Sequence, residues 1–346
     1  MEVDPDRGGL RSWLTPPLSQ SAYPSPEAAR REVADLAARH AHLVHAREIG
    51  RSTEGRPIEA LRLRGPGVAD GGPRLLVTAH IHAVEYVGSY VARAVMRRLL
   101  EGYGSTPEAT RLLDGCEVWF VPLLNPDGAE RVWRRRGRSG WGQARFTANG
   151  VDPNRNFPFD PVPGRGGWNS GRARPGSPWY RGPHPLSEPE CAALARLAKA
   201  MRFAAAVNFH SFGCVVYMPE PEGEEAERAR HAFAVFDGPF QERQAWHRYR
   251  PVPEKHDTIV GQLDAFLHGA FGTISVTVEV SRPGWHLLAP RKLGNVFWLS
   301  NPPDPERWAE NDAPATIAAL QALLDRTGGR PCTPSEPHLA DRVPDA

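Results

Sequence analysis

The chain has 346 residues, 40% of them hydrophobic and 24% charged, enough to bury a sizeable core as one large α/β domain or two small ones. Its formal net charge of +2 is too small to drive binding to nucleic acid or an acidic membrane by bulk charge. No apolar stretch reaches the length of a membrane span, Met1–Trp13 holds no apolar signal core, and Cys116, Cys191, Cys214 and Cys332 are scattered without a CxxC pair, so the expectation is a cytoplasmic protein with reduced thiols.

In chain order, residues 1–22 read as an irregular lead-in. Ser25-Pro26-Glu27 opens a helix, with Ser as N-cap and Pro at the first helical position, running to about His45. Segments 47–50 and 57–64 predict an edge hairpin around the polar turn Ser52–Arg56. Residues 74–79 predict a buried strand feeding a helix over 84–100, and a short helix at 107–113 precedes a strand at 116–124. From Asn125 to Arg181 the pattern dissolves into Gly, Pro, Trp and Arg, a length of irregular chain that usually carries function. Ser187 and Glu190 predict a capping box for a helix to about Met201. A strand at 203–209 ends at His210, and a helix over 222–235 leads to a second irregular region, 237–257. Then follow a helix at 258–268, a strand at 273–280 and helices at 290–298 and 313–324. The Pro-rich tail 327–346 is expected to be disordered. The expectation is a single α/β domain over residues 23–326, a twisted mixed sheet with helices on both faces and ligands at the carboxyl ends of its central strands.

Four polar residues fall at or near such strand ends: His82, Asn125, His210 and Glu279. His82 and Glu85, on either side of a strand-to-helix turn, are close enough in sequence to grip one ion. His210 is the natural third member, and two imidazoles with one carboxylate suit zinc. His80, pointing like His82 by strand alternation, competes as a ligand. Glu279 is set in the apolar run Ile274–Val280.

Six pieces then occur in one order: His82-Ala83-Val84-Glu85, Asn125-Pro126-Asp127-Gly128, Arg131-Val132-Trp133-Arg134, Gly150 to Asn156, Asn208-Phe209-His210-Ser211 and Thr277-Val278-Glu279-Val280. Together they resemble the zinc carboxypeptidases of the pancreatic type, the funnelin metallocarboxypeptidases, over about residues 23–325. The resemblance implies one zinc per chain on His82, Glu85 and His210, with Asp152 orienting His82 through its other ring nitrogen. It further implies Glu279 as general base and Arg134 as the cation for the oxyanion. Asn154 and Arg155 would receive a free α-carboxylate. The family's mobile closing Tyr is matched by His256, with Tyr249 as the nearby alternative, and Phe212 replaces a Tyr after the third ligand. Leu263 falls at the position that sets the terminal side chain, favouring a neutral or apolar residue; a one-residue shift would put Asp264 there and reverse that preference.

The function so implied is zinc-dependent removal of a C-terminal amino acid from a peptide with a free carboxylate, with no nucleic-acid or membrane partner. A stem-peptide or γ-glutamyl amidase, or a tailoring hydrolase of a modified peptide, on the same site is the alternative. A non-catalytic binding module is a third, disfavoured because a binder needs neither Glu279 nor an oxyanion cation.

Overall fold

The computed structural model describes Leu18 and residues 21–345, apart from 139, 141, 160–170, 173, 221–225, 256–258 and 285–294. Helix α1 (Pro26–Arg39) starts as expected, with Ser25 Oγ accepting the Ala28 N–H, but stops short because the chain turns at His40 into strand β1 (Val44–Arg51). Strand β2 (Pro57–Leu63) pairs with it antiparallel at the sheet edge, as the hairpin pattern predicts. Strand β3 (Arg74–Ala79), helices α2 (Tyr86–Gly102) and α3 (Pro107–Gly115) and strand β4 (Glu117–Val121) follow close to their predicted places.

The stretch after β4 is less irregular than its composition suggests. Helix α4 (Pro126–Arg134) forms there because Asn125 caps it, Oδ1 accepting the Gly128 N–H at 2.9 Å, and Pro126 sits where no N–H is needed. Helix α5 (Pro189–Met201) begins without the expected capping box: Ser187 Oγ donates to Glu188 instead. Strand β5 (Ala205–Ser211) carries His210, and strand β6 (Val215–Glu220) turns back after it. Helix α6 (Ala226–Arg243) and strand β7 (Arg250–Lys255) occupy most of the second region expected to be irregular. Pro251 and Pro253 disguise β7, and a strand can hold them because β7 lies at the sheet edge, paired to β6. Helix α7 (Leu263–Phe271), strand β8 (Ile274–Val280), helix α8 (Val296–Ser300) and helix α9 (Pro305–Thr327) complete the order.

The eight strands form one mixed sheet in the order β1-β2-β4-β3-β5-β8-β6-β7, with β4, β3, β5 and β8 parallel at its centre. Alternation along these strands feeds two cores. Leu75, Val77, Val207, Phe209, Val276 and Val278 face α2 and α9, while Leu76, Trp119, Val121 and Ala206 face α5 and α7. The tail departs from expectation. Its Cys332 and Glu336 amides bond to the Gly272 and Gly269 carbonyls, and Leu339 and Val343 join the α7 core from a 3₁₀ turn, Pro337–Arg342. Prolines signal disorder in a polar tail, but here they punctuate a segment that still buries apolar side chains.

Candidate active site

β3 ends at Ala79 and the chain turns through His80, a left-handed residue with φ of 59°. That conformation breaks the strand alternation. His80 Nε2 donates to the Ala83 carbonyl at 3.1 Å, its ring meets Tyr86 edge-on, and burial pushes its pKa down to about 4. It therefore stands outside the ligand set. His82 and Glu85 turn the other way, toward His210 near the end of β5.

His82 Nδ1 lies 2.8 Å from Glu85 Oε1 and 3.2 Å from His210 Nδ1, and His210 Nδ1 lies 3.0 Å from Glu85 Oε2. The three residues are buried, and their ligand atoms all lie within 4.8 Å of one another. Glu85 Oε2, despite its nearness to His210, makes no hydrogen bond. Two ring nitrogens and a carboxylate thus converge within the span of one ion, a donor set that fits a tetrahedral cation accepting N and O ligands. Burial pushes the Glu85 carboxyl up, but the two neighbouring rings outweigh it and hold the group well below the usual carboxylate range.

A second layer steadies this set. Asp152 is the N-cap of a 3₁₀ turn, Pro153–Arg155, and its Oδ1 lies 3.1 Å from His82 Nε2. Its Oδ2 accepts Arg145 Nε at 3.3 Å and Nη2 at 3.0 Å. Arg145 Nη2 also lies 2.8 Å from His82 Nε2. A ring that offers its Nδ1 lone pair to a metal carries its proton on Nε2, so both are donors and Asp152 is the acceptor they share. Burial raises the Asp152 pKa, but Arg145, His82 and Arg155 overcome that and hold it far below the usual range. Burial works against the Arg145 charge in turn, and Asp152, Glu85 and Glu279 outweigh it.

The structure brings Arg145, which the sequence did not single out, beside His82 and Asp152, and leaves Arg134 apart from them. Arg134 ends α4 with its side chain 70% exposed and ion-paired to Glu130 one turn back. The helix that forms over 126–134 turns it away from the metal set. The available signal was position: Arg145 lies just before the Gly150–Asn156 motif that places Asp152.

The motif residues Asn154 and Arg155 are both buried. Asn154 Oδ1 accepts the Leu263 N–H at 2.9 Å, and Arg155 Nη1 donates to the Asn154 carbonyl at 2.6 Å. Gly261, at φ of 73°, lets the α7 approach pass so close that a Cβ there would stand 2.2 Å from the Arg155 carbonyl oxygen. Glu279 is the register partner of His210 on the adjacent parallel strand, so the two side chains emerge side by side. Below them, on the same face of β5 and β8, lie Asn208, Ser275 and Thr277, all hydrogen-bonded to the Asp264 carboxylate from α7.

The zinc carboxypeptidase family model matches residues 30–296. The chain belongs to that family. A zinc carboxypeptidase of Saccharothrix mutabilis subsp. capreolus is 33% identical over 129 residues, 35% of this chain and 29% of that protein. Carboxypeptidase A2 of Rattus norvegicus is 32% identical over 207 residues, 57% of this chain and 46% of the relative. The matched part thus spans less than half the length of these curated relatives. Among solved structures, thrombin-activatable fibrinolysis inhibitor superposes with a TM-score of 0.72 at 19% identity, covering 88% of this chain and 74% of the other. Carboxypeptidase A from Helicoverpa armigera gives 0.70 at 18%, covering 92% and 80%. These two likenesses establish the zinc carboxypeptidase fold.

Three expectations about the substrate side of the site have different outcomes. Leu263 does not face the site: its side chain joins the apolar cluster with Phe157 and Phe266, and Asp264, one residue on, reaches toward the polar face beneath His210. Helical rotation at the start of α7 decides between the two. Tyr249 is no mobile closing group, since it is 1% exposed and its hydroxyl donates to Asp312 at 2.6 Å. His256 lies outside the described residues. Among the described residues, no helix is long and apolar enough to cross a membrane.

Proposed function

We propose that this protein is a metallocarboxypeptidase that removes a C-terminal amino acid from peptides, holding one zinc per chain on His82 Nδ1, His210 Nδ1 and Glu85. The convergence of these three buried donors beside Glu279 and Arg145 carries the reading. Bound there, zinc would lower the pKa of a water and polarise the scissile carbonyl. Glu279 takes the proton from the attacking water and returns it to the leaving amine. Arg145, fixed by Asp152, offers its guanidinium to the carbonyl oxygen as negative charge builds there. Arg155 reads the terminal carboxylate through charge-assisted hydrogen bonds, with Asn154 beside it. Asp264, ringed by Asn208, Ser275 and Thr277, favours a terminal side chain that is basic or donates hydrogen bonds over an aliphatic one.

The test is mass spectrometry of peptides with varied free or amidated C-termini. Loss of one terminal residue from free peptides only, fastest for Lys or Arg ends, is the expected result. Equal cleavage of amidated peptides would show an amidase instead. Glu279→Gln should keep zinc and peptide binding while hydrolysis nearly vanishes, and normal turnover in that variant would exclude Glu279 as the base.

A further inference from the structure

Glu279 is separated by one residue from Ser281, which is fully buried and held at φ of 68°. Serine pays a conformational cost in that left-handed region, so neighbouring bonds must hold it there. Two are visible. The Ser281 carbonyl accepts the Gly213 N–H at 2.8 Å, tying the chain after β8 to the chain after β5. The Ser281 N–H donates to the Tyr249 hydroxyl at 3.3 Å. Gly213 itself packs against Glu279, where an added Cβ would meet the Glu279 Cβ at 3.2 Å. The turn that Ser281 makes therefore fixes the general base's end of β8 against the zinc-ligand strand.

Tyr249 can accept from Ser281 only while its own proton is given elsewhere, and Asp312 on α9 takes it. Asp312 is itself fully buried. Its Oδ2 receives the Tyr249 hydroxyl at 2.6 Å, and its Oδ1 receives Gln244 Nε2 at 3.0 Å and Asn311 Nδ2 at 2.9 Å. Burial pushes its carboxyl up to about 6 despite these three donors. Gln244 also accepts the Tyr249 N–H, and Asn311 binds the Trp246 and His247 amides, so the segment before β7 is fastened to α9 from several sides. Among the described residues this network touches no ligand of the metal set, yet its far end is two residues from Glu279.

We propose that Asp312 and Tyr249 are positioning residues for the general base: the carboxylate polarises the phenol, the phenol oxygen holds Ser281, and Ser281 sets the reach of Glu279 toward the zinc-bound water. This rests on the assignment of Glu279 as base. The test compares Tyr249→Phe, Asp312→Asn and Glu279→Gln for kcat, KM, zinc content and amide hydrogen exchange. Tyr249→Phe should lower kcat by about tenfold, the factor that a barrier change of 1.4 kcal/mol gives. KM should stay within about twofold and zinc content should not change, because no ligand or carboxylate-binding residue is affected. Exchange at the Ser281 and Gly213 amides should quicken while that at Val276 does not.

Asp312→Asn adds an arm that packing alone would not move. To keep the two donors of Gln244 and Asn311, the new amide must turn its oxygen to them and its NH2 to Tyr249. The phenol oxygen then accepts from that NH2 where it donated before, and its own hydrogen is left to oppose the Ser281 N–H. The isosteric change should thus match the kcat loss of Tyr249→Phe. Unchanged kcat in both variants, with only a lower melting temperature, would overturn the proposal. An active Glu279→Gln would instead remove the base assignment beneath it, and the two failures are distinct.

Discussion

At the residue scale the decisive contrast is between two arginines. Arg145, its side chain 16% exposed, pairs with Asp152 beside the metal set, and Arg134 is exposed and pairs with Glu130. Removing a fixed donor from a developing oxyanion costs about 10²–10³ in kcat. Arg145→Ala should show that loss with zinc retained, and Arg134→Ala should stay within about twofold of the parent, as befits an exposed pair worth under about 1 kcal/mol. The reverse order in steady-state kinetics would restore Arg134 to the site. That His82, Glu85, His210 and Glu279 lie together could be read from sequence because strand ends and local spacing place them: His82 and Glu85 share one turn, and His210 and Glu279 sit alike on neighbouring strands. Arg145 could not, since its place depends on how an irregular chain folds back from α4 to Asp152. Asp264 displaced Leu263 for a related reason, a helix start that spacing fixes only to within a residue.

At the element scale, predictions held where burial periodicity is strong, as in β3, α2 and β8, and failed where Pro or Gly hid a capped helix or an edge strand, as in α4 and β7. The N-terminus of α5 shows how a buried group enters such an element. Glu190 is fully buried there, its Oε1 accepting the Thr53 N–H of the β1–β2 turn at 3.4 Å and its Oε2 without a partner. Burial, joined by Glu188 and Asp127, pushes its carboxyl from the ordinary 4.5 up to about 7. The folded chain thus holds this proton more tightly than the unfolded chain, so the group's contribution falls as pH rises from about 4.5 through about 7 and is level above that. Glu190→Gln, uncharged throughout, should be more stable than the parent above about pH 7, by up to about 3 kcal/mol at 1.36 kcal/mol per unit of pKa. Below about pH 4.5 that advantage should vanish. Denaturant melts of both proteins across this range check it, and the comparison cancels titration elsewhere. An advantage independent of pH would mean that Glu190 titrates alike in the folded and unfolded chains and that burial does not raise its pKa.

At the scale of the whole molecule the metal set joins separate parts of the sheet. His82 leaves the turn after β3, Glu85 stands just before the first residue of α2, and His210 stands on β5, 128 positions from His82 in sequence. An unfolded chain brings His82 and Glu85 near each other but not His210, so zinc favours the folded state strongly. A ligand at a thousand times its dissociation constant adds about 4 kcal/mol to folding stability. The buried Glu85 carboxylate lies against the Nδ1 atoms of both rings, one at each of its oxygens, so the ion would hold three groups from separate elements in one place. Chelation should therefore lower the thermal midpoint by several degrees, and excess zinc should restore it. In His210→Ala the third donor is gone, and the midpoint should barely respond to chelator or zinc. The measurement is a thermal melt of parent and variant with metal content followed in parallel. A parent protein whose midpoint ignores chelation while its zinc is lost would show that the ion contributes nothing to holding β3, α2 and β5 together. In that case the packing of α2 across β3 and β5, through Val87, Val91, Val77 and Phe209, suffices to preassemble the three ligands.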